Sequence, residues 1–427
     1  MAFAGKKKKV LIIVENLPVP FDRRVWQEAC ALQKNGYQVS IICPTGRNYE
    51  KRFEQINGIS IYRHPLPLEG SGAMGYLIEY SAAAFWQFLL AVKVFLKHGF
   101  DVIQACNPPD TIFLIALFFK LVAGKRFIFD HHDINPELYI AKFNRKDKFY
   151  QLLLLLERLT FKTADFSIAT NNSYRQIAIE RGKMAPGRVA VVRSGPSLER
   201  MQKGPANDKW KNGRKYLIGY VGVMGEQEGI DHLIEAVRTI VNEIKRHDIQ
   251  FVLIGDGTMR SKLQSHVRGL QLEEFITFTG RVSDAQLLEI LNTADICVNP
   301  DIANDMNDKS TMNKIMEYMA LGKPIVQYDL KEGRFSAQKA SLYAKRNDPG
   351  SLAENMVRLI DEPELRSTMG SFGENRVRKE LHWGIESKKY LKVYDKLSAE
   401  IEGHVLKSSK SRTSILSNEQ AWDAEQV

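Results

Sequence analysis

Short runs of apolar, often β-branched residues alternate with longer amphipathic stretches along most of the chain. The first run, "KVLIIVEN", is followed by an amphipathic stretch from Asp22 to Asn35 and then by a second run, "QVSIICP". Continuous apolar runs of this length are typical of strands buried on both faces, and the stretches between them have the length of crossover helices. The pattern therefore predicts an α/β fold with parallel sheets covered by helices.

The alternation lapses over residues 198–215, which read "LERMQKGPANDKWKNGRK". This segment is polar and rich in charged residues, Gly and Asn, as linkers are. We interpret it as the connection between two doubly wound, Rossmann-like domains over 1–197 and 216–382. We expect a C-terminal helix over 383–405 and a disordered tail over 406–427.

The excess of positive charge lies in the first half of the chain. The formal net charge is +10, yet Lys and Arg nearly balance Asp and Glu after residue 200. A basic half predicts an anionic partner such as membrane headgroups or a phosphorylated substrate, although scattered solubilising lysines would give the same count. Nucleic acid is disfavoured, because no zinc-finger spacing, basic zipper or aromatic RNA-binding signature is present.

Cysteine usage and hydropathy bear on location. Cys30, Cys43, Cys106 and Cys297 are widely spaced in apolar contexts and follow neither a metal-ligand nor a disulfide pattern, so we expect a cytoplasmic protein without a metal site. No segment reaches the roughly 18 to 20 apolar residues that span a bilayer.

Two apolar stretches, 81–100 and 111–125, are rich in Phe and end in cations, as helices in a membrane interface do. Ordinary helices that cover a sheet are an equally good interpretation. A third apolar run, over 149–162, we expect to lie in the core.

Two Rossmann-like units raise the possibility of a dinucleotide-dependent oxidoreductase. The glycines of "GYVGVMGEQEG" and "GDGTMR" do not give the spacing G-x-G-x-x-G, and the loop after the first strand contains no glycine. A phosphate-binding P-loop is absent too. The sequence therefore disfavours both classes of nucleotide enzyme.

The segments "GDGTMRSKLQ", "ITFTGRVSDAQLLEILNTADICVNP" and "MNKIMEYMALGKPIV" resemble the GT-B glycosyltransferases, in particular the large retaining family 4. The segment "FDHHDINPELY" is similar to the H-D-x-x-P-E stretch of members that build O-antigen or exopolysaccharide repeat units. The resemblance implies two Rossmann-like domains facing across a cleft. It also implies retaining transfer from a nucleotide diphosphate sugar, which we expect to be a UDP-sugar, to a saccharide acceptor, without a metal or other cofactor.

The resemblance places the donor in the second domain. The family carries two glutamates eight residues apart; Glu317 matches the second, which accepts hydrogen bonds from the ribose, whereas Lys309 stands at the place of the first. Lys309 and the amides at the following helix start would face the diphosphate. The residues predicted to bind the donor are Glu317, Lys309, Ser310, Thr311, Met312, Asn313, Gly222, Arg281 and Arg193.

The chain departs from the family at two phosphate-binding cations. Members usually carry one directly after the Gly of "YVG" and another about five residues on, and here these places hold Val223 and Glu228. A different cation must therefore stabilise the diphosphate, if transfer occurs. The sequence alone leaves several lysines and arginines open for this role.

The first domain is predicted to hold the reacting sugar and the acceptor. The resemblance assigns His132 to the sugar pocket, and Asp133 would orient that histidine or bind an acceptor hydroxyl. His131 is the competing choice, because neighbouring side chains of a strand point to opposite faces. The residues predicted on the acceptor side are Arg23, Arg24, Asn107 and His131.

Together these features predict a cytoplasmic glycosyltransferase, peripheral on the inner face of the cell membrane, that acts on a lipid-linked acceptor in cell-surface polysaccharide biosynthesis. The departures from the family keep two alternatives open. One is a non-catalytic GT-B paralogue that serves as a binding or assembly partner. The other is a GT-B nucleotide-sugar epimerase.

Overall fold

The computed structural model describes residues 8–65 and 72–401, with side chains for 8–65 and 81–401. The predicted tail over 406–427 lies outside this range.

The first domain is built on an eight-stranded sheet with the order β3-β4-β2-β1-β5-β6-β7-β8. Every neighbouring pair is parallel except β3 and β4. Its strands are β1 Lys9–Ile13, β2 Gln38–Pro44, β3 Phe53–Ile56, β4 Ile59–His64, β5 Val102–Cys106, β6 Arg126–His131, β7 Phe166–Ala169 and β8 Val189–Val191. Its helices are α1 Arg23–Lys34, α2 Gly72–Lys97, α3 Phe113–Ala123, α4 Asn135–Phe143, α5 Lys148–Thr163 and α6 Asn172–Glu180.

The second domain has a six-stranded parallel sheet with the order β11-β10-β9-β12-β13-β14. Its strands are β9 Tyr216–Val221, β10 Ile249–Ile254, β11 Ile276–Gly280, β12 Ile296–Asn299, β13 Ile325–Tyr328 and β14 Ser341–Ala344. Its helices are α7 Ile230–Arg238, α8 Arg260–Gly269, α9 Asp284–Thr293, α10 Asp305–Lys309, α11 Asn313–Ala320, α12 Lys331–Ala337, α13 Pro349–Asp361 and α14 Pro363–Arg376. The predicted pair of doubly wound α/β domains is confirmed.

Several helices begin where a strand has just ended, and a polar side chain caps each of them. Asp22 accepts from the amide of Val25 at the start of α1, and Asn171 accepts from that of Tyr174 in α6. Such caps satisfy amides that have no partner inside the helix. They fix the first turns of α1 and α6 at the carboxyl edge of the first sheet.

The last helix, α15 over 383–401, returns to the first domain. Tyr390 and Tyr394 are buried beside β5 and both donate a hydrogen bond to Oε1 of Gln104, at 2.6 Å. Arg188 and Glu400 form an ion pair at the far end of the helix. The C-terminal helix therefore belongs to the core of the first domain, although it follows the second in sequence.

No helix among the described residues combines the length and the apolarity needed to cross a bilayer.

The two domains meet through buried polar contacts at the carboxyl edges of their sheets. Arg193 of the first domain pairs with Glu332 of the second at 3.2 Å, and both are at most 4% exposed. Ser173 donates to the other oxygen of Glu332 at 2.8 Å. Asn171 donates to the carbonyl oxygen of Lys309 and to the hydroxyl of Thr311. These contacts hold the two edges against each other.

Glu332→Ala should lower the free energy of unfolding by about 3 to 5 kcal/mol, because it leaves the buried guanidinium of Arg193 without a counter-charge. Urea unfolding followed by circular dichroism measures the change. Glu273→Ala, at an exposed position of the same domain, is the matched control and should stay within about 0.5 kcal/mol of the wild type. Equal stability of the two variants would contradict a structural role for the ion pair.

Candidate functional site

The carboxyl ends of the strands in both sheets border one cleft, as expected for ligand sites of open α/β sheets. Arg23, at the start of α1, reaches across this cleft to two carboxylates of the second domain. Its guanidinium lies 2.7 Å from Oδ1 of Asp284 and 3.6 Å from Oε1 of Glu317. The structure thus brings together Arg23 and Glu317, two residues predicted for opposite sides of the site.

Glu317 is held by a residue that sequence reasoning missed. Arg200, within the predicted linker, donates from Nη1 to Oε1 of Glu317 at 2.9 Å and pairs with Asp284 through Nε. The side chain of Glu317 is 17% exposed, whereas that of Asp284 is 53% exposed. The ion pairs of Asp284 are therefore weak, whereas the pair between Glu317 and Arg200 is largely buried.

Lys309, which the sequence predicts to face the diphosphate, is paired with two carboxylates. Its ammonium group lies 2.7 Å from Asp305 and 3.3 Å from Glu137 of the first domain. The neighbouring hydroxyls are also engaged at the domain junction: that of Ser310 with Tyr174, and that of Thr311 as acceptor from Arg193 and Asn171. The loop 309–313 therefore joins the two domains, and Met312 and Asn313 lead directly from it into α11.

Arg193, also predicted to bind the donor, is buried at this junction. Besides Glu332 it contacts the ring of Phe335, with its guanidinium carbon 4.1 Å from the ring centroid. Its charge is thus compensated within the protein rather than offered to a ligand.

A second cation that sequence reasoning missed lies behind the predicted donor loop. Lys314, in the first turn of α11, is 2.9 Å from Oε2 of Glu228 and 3.1 Å from Oδ1 of Asp301. Burial alone would lower the pKa of Lys314, but these two carboxylates raise it well above its ordinary value. Burial, which Lys314 partly offsets, raises the pKa of Asp301. The ammonium group therefore stays charged in a nearly dry site.

Gly222 lies beside this ammonium group, at the end of β9. A Cβ atom there would meet the hydroxyl of Tyr220 at 2.5 Å and Nζ of Lys314 at 3.2 Å. One at Gly255, in the next loop, would meet the carbonyl oxygen of Gly222 at 1.8 Å. The two loops pack backbone against backbone, which only glycine permits.

Arg281 lies at the mouth of the cleft. It is exposed, and its guanidinium carbon is 5.6 Å from the ring centroid of Phe21 of the first domain. Among the described side chains no carboxylate pairs with it within 4.0 Å. Of the arginines predicted for the donor, Arg281 is thus the one left open to an anion.

On the first-domain side, Arg24 is buried rather than presented to an acceptor. Its guanidinium pairs with Asp130 at 2.9 Å and with Glu28 at 3.1 Å, and it donates to the carbonyl oxygen of Val192. Its hydrogen-bonding capacity is used inside the domain, which corrects the acceptor-side prediction.

Arg24 also occupies the centre of a cluster that could otherwise hold a metal ion. Ligand-type atoms of Glu28, Cys106, Asp130 and His132 lie within 4.8 Å of one another. Because Arg24 bonds both carboxylates, it already supplies the positive charge that a metal ion would bring.

His132 lies against this cluster and is partly exposed. Its Nε2 is 2.8 Å from Oδ2 of Asp130 and 3.0 Å from Nε of Arg24. Burial opposes ionisation of Asp130, but Arg24 and His132 lower the pKa of its carboxyl far below the ordinary value. The negative charge on Asp130 and the guanidinium of Arg24 hold the imidazole of His132 in place through its Nε2.

Asn107 positions the turn that carries His132 and Asp133. Its Oδ1 accepts from the amides of both residues, at 2.8 and 3.2 Å, and its Nδ2 donates to Asp110. Asn107 is 2% exposed, so it supports the site instead of lining the acceptor pocket as predicted. Burial raises the pKa of Asp133, whose carboxylate makes no side-chain hydrogen bond within the described part of the chain.

His131 points away from the cleft, as alternation along β6 requires when His132 faces it. Its ring is fully buried and packs against Phe129, Phe161 and Tyr174, with centroids 4.9 to 5.2 Å apart. His131 is therefore enclosed in the core, whereas His132, predicted for the sugar pocket, is partly exposed.

With this geometry in view, known proteins provide a comparison. Residues 22–195 match the model of a glycosyl transferase 4-like domain, and residues 215–362 match that of the glycosyl transferases group 1. The chain is 21% identical over 379 residues to an uncharacterized glycosyltransferase of Methanocaldococcus jannaschii, MJ1069; the match covers 86% of this chain and 91% of that protein.

Solved structures share the architecture. Sucrose-phosphate synthase from Thermosynechococcus elongatus superposes with a TM-score of 0.76 at 17% identity, over 92% of this chain and 100% of that one. Anabaena HepE in complex with UDP and glucose superposes with a TM-score of 0.69 at 14% identity. The match covers 92% of this chain and 99% of that one. The two parallel-sheet domains with facing carboxyl edges thus have the GT-B fold. The chain is a glycosyltransferase of this type, with a 4-like first domain and a group 1 second domain.

The protein should become less stable as the pH is lowered, because His131 is held neutral by burial. Burial lowers the pKa of His131 to about 3, whereas the unfolded chain takes up this proton near pH 6.5. A pKa depressed by folding gives stability that is complete above pH 6.5 and is lost as the pH falls. At pH 5 the loss from this residue should be about 2 kcal/mol.

His131→Phe, which keeps a ring of similar size in the aromatic cluster, should remove about 2 kcal/mol of the difference between unfolding free energies at pH 8 and pH 5. His266→Phe, at an exposed position, serves as the control and should keep the difference of the wild type. An unchanged pH dependence in His131→Phe would mean that this ring is not held neutral.

Proposed function

We propose that this glycosyltransferase moves a sugar from a UDP-sugar to a saccharide acceptor, with retention and without a metal ion. The observation that carries the proposal is the position of Glu317 and Lys314, three residues apart on α11, at the carboxyl edge of the second sheet. Residues at this spacing lie on one face of a helix. A carboxylate suits the ribose hydroxyls, and an ammonium group suits the diphosphate oxygens.

Lys314 takes the role of the cations that are missing at Val223 and Glu228. Its ammonium group is 2.9 Å from the Glu228 carboxylate, so it reaches the position from which a lysine at 228 would act. It also lies next to Gly222 at the end of β9, where a Cβ atom would be 3.2 Å from its Nζ. Arg281 and Arg23, both exposed at the cleft, add positive charge for the leaving group.

UDP as the leaving nucleotide is supported by the fold shared with HepE, whose structure holds UDP and glucose. On the sugar side, the proposal relies on His132 and Asp133 of the first domain. In the proposed arrangement His132, oriented by Asp130, contacts the transferred sugar, and Asp133 binds a hydroxyl of the sugar or the acceptor.

The acceptor is proposed to be a lipid-linked saccharide of a cell-surface polysaccharide such as an O-antigen, handled at the inner face of the membrane. Two features support this part: the H-D-x-x-P-E segment at 132–137 and the basic first half of the chain.

The reaction can be tested with the purified chain, a panel of UDP-sugars and membrane extract, with the anomeric configuration of the product read by NMR. A lipid-soluble product that keeps the donor configuration supports the proposal. Absence of heat in calorimetry with UDP would instead favour a non-catalytic paralogue, because a partner protein without a donor site does not bind the nucleotide. Release of free nucleotide or an altered sugar without membranes would favour an epimerase.

Glu317→Gln should weaken UDP binding about ten-fold or more, because a charged acceptor of ribose hydrogen bonds is lost. Titration calorimetry with UDP and with 2′,3′-dideoxyuridine diphosphate separates this contact from the others. The variant and the wild type should bind the dideoxy nucleotide alike. Equal weakening for both nucleotides would place Glu317 outside the ribose site.

The double variant Lys314→Met, Glu228→Gln should weaken UDP binding about ten- to hundred-fold while leaving uridine binding almost unchanged, since only the diphosphate loses a partner. Replacing Glu228 at the same time avoids a second unpaired carboxylate beside Asp301. Lys309→Met is the matched control, and its UDP affinity should stay near that of the wild type. If Lys309→Met weakened UDP binding more than the double variant did, the result would support the diphosphate role predicted for Lys309.

A further inference from the structure

One side of the first domain presents an unusually apolar surface to solvent. Helices α2, α3 and α5 lie side by side there, and the rings of Phe88 and Phe118 join α2 to α3 with centroids 5.1 Å apart. We call this surface the apolar face. Its exposed side chains are Phe85, Trp86, Leu89, Leu96, Leu114, Phe118, Leu121, Val122, Leu152 and Leu155.

These side chains are not needed to build the core of the domain. The inward positions of the same helices, such as Val94 on α2 and Phe119 on α3, already fill it. A helix that covers a sheet needs one apolar side, and these helices have two. Ten of the sixteen exposed large hydrophobic side chains among the described residues lie on these three helices, a concentration that marks an interaction surface.

The run over 149–162, expected to be core, contributes to the same surface. Thr160 and Phe161 of α5 are buried as expected, but Leu152 and Leu155 are 42% and 52% exposed. The apolar face therefore extends across all three helices.

Positive charge surrounds the apolar face. Its exposed cations are Lys93, Lys97, Lys142, Arg145, Lys146, Lys148, Arg158 and Lys162. Among the described side chains of α2, α3 and the segment 142–163 there are two carboxylates. Asp147 caps α5, and Glu157 is buried against Arg181. Eight exposed cations therefore face one exposed carboxylate, that of Asp147.

A groove of about 770 Å³ at the edge of the apolar face carries more positive charge. Leu155, Arg158 and Lys162 of α5 line it together with Lys183, and its carboxylates, Asp165 and Glu400, are paired with arginines. It adds phosphate-binding capacity next to the apolar side chains.

We propose that the apolar face docks on an anionic lipid bilayer, with its large side chains at the boundary of headgroups and acyl chains and its cations on lipid phosphates. The charge pattern selects this partner over a second copy of the chain. A symmetric dimer through the same face would bring two basic rims together, which repel each other.

Docking would also place the cleft near the membrane. Crossover helices run antiparallel to the strands, so α3 begins at the carboxyl edge of the first sheet, where Asn107 supports His132. A lipid-linked acceptor would reach the cleft from that edge. This use of the surface rests on the proposed function, whereas lipid binding itself does not.

The test is co-sedimentation of the full chain with vesicles of phosphatidylcholine containing 30% phosphatidylglycerol, and with pure phosphatidylcholine. We expect binding to the anionic vesicles, weaker binding to the neutral ones, and a loss of binding at high salt. Leu96→Ser with Leu121→Ser, the two most exposed of the ten side chains at 80% and 77%, should reduce partitioning about ten-fold or more.

Lys148→Gln with Arg158→Gln should reduce binding to the anionic vesicles alone. Ile244→Ser, at an exposed apolar position of the second domain, is the matched control and should bind like the wild type. Absence of binding to anionic vesicles, or binding that the leucine variant leaves unchanged, overturns the proposal. So does a dimer in light scattering that the leucine variant dissociates.

UDP calorimetry on the leucine variant separates this inference from the proposed function. Lost vesicle binding with intact UDP affinity supports the docking surface. Wild-type protein that binds UDP but no vesicles rejects the docking surface alone, and protein that binds vesicles but not UDP rejects the proposed transfer alone.

Discussion

Taking Arg193 and Glu332 out of water is unfavourable for each group alone, and their ion pair offsets that loss only while the two domains remain in contact. The hydrogen bonds of Asn171 and Ser173 lie beside the pair and depend on the same contact. Together they set the position of the loop 309–311, and hence of the first turn of α11. The geometry of the cleft follows from compensating this buried charge.

The need to compensate buried charge also decides which cations near the cleft are available to bind a ligand. Arg24 is surrounded by carboxylates that it cannot leave without exposing buried charge, so it shapes the pocket of His132 from behind. Arg23 and Arg281 lie near solvent, where the ion pair of Arg23 with Asp284 is weak and Arg281 contacts the ring of Phe21. Lys314 is buried and paired with two carboxylates, and it lies beside Gly222 at the end of β9. A diphosphate would meet a site whose positive charge comes from several elements rather than from one loop.

The first domain combines two surfaces with different chemistry. Its sheet edge carries polar residues that are positioned by buried hydrogen bonds, with Asn107 and Asp130 behind His132. Its flank carries apolar side chains and unpaired cations on helices that need neither for folding. Helix α3 extends from the sheet edge along the flank. In the proposed arrangement one rigid domain therefore contacts a membrane with its flank and a saccharide at its sheet edge.

The sequence by itself determined the architecture and part of the site. Runs buried on both faces, separated by helix-length amphipathic stretches, are local patterns, so both parallel sheets and the cap at Asp22 could be predicted without knowledge of distant contacts. The position of Glu317 on an apolar helix behind a polar loop was readable in the same way. Only the tertiary structure decided the charge partners. Lys309 meets Glu137, and Glu317 meets Arg200, across separations of 172 and 117 residues. Likewise, alternation predicted that His131 and His132 face opposite sides, but which of them enters the core depended on where the helices pack. Ion pairing and burial are set by distances in space, and no local pattern of residues encodes them.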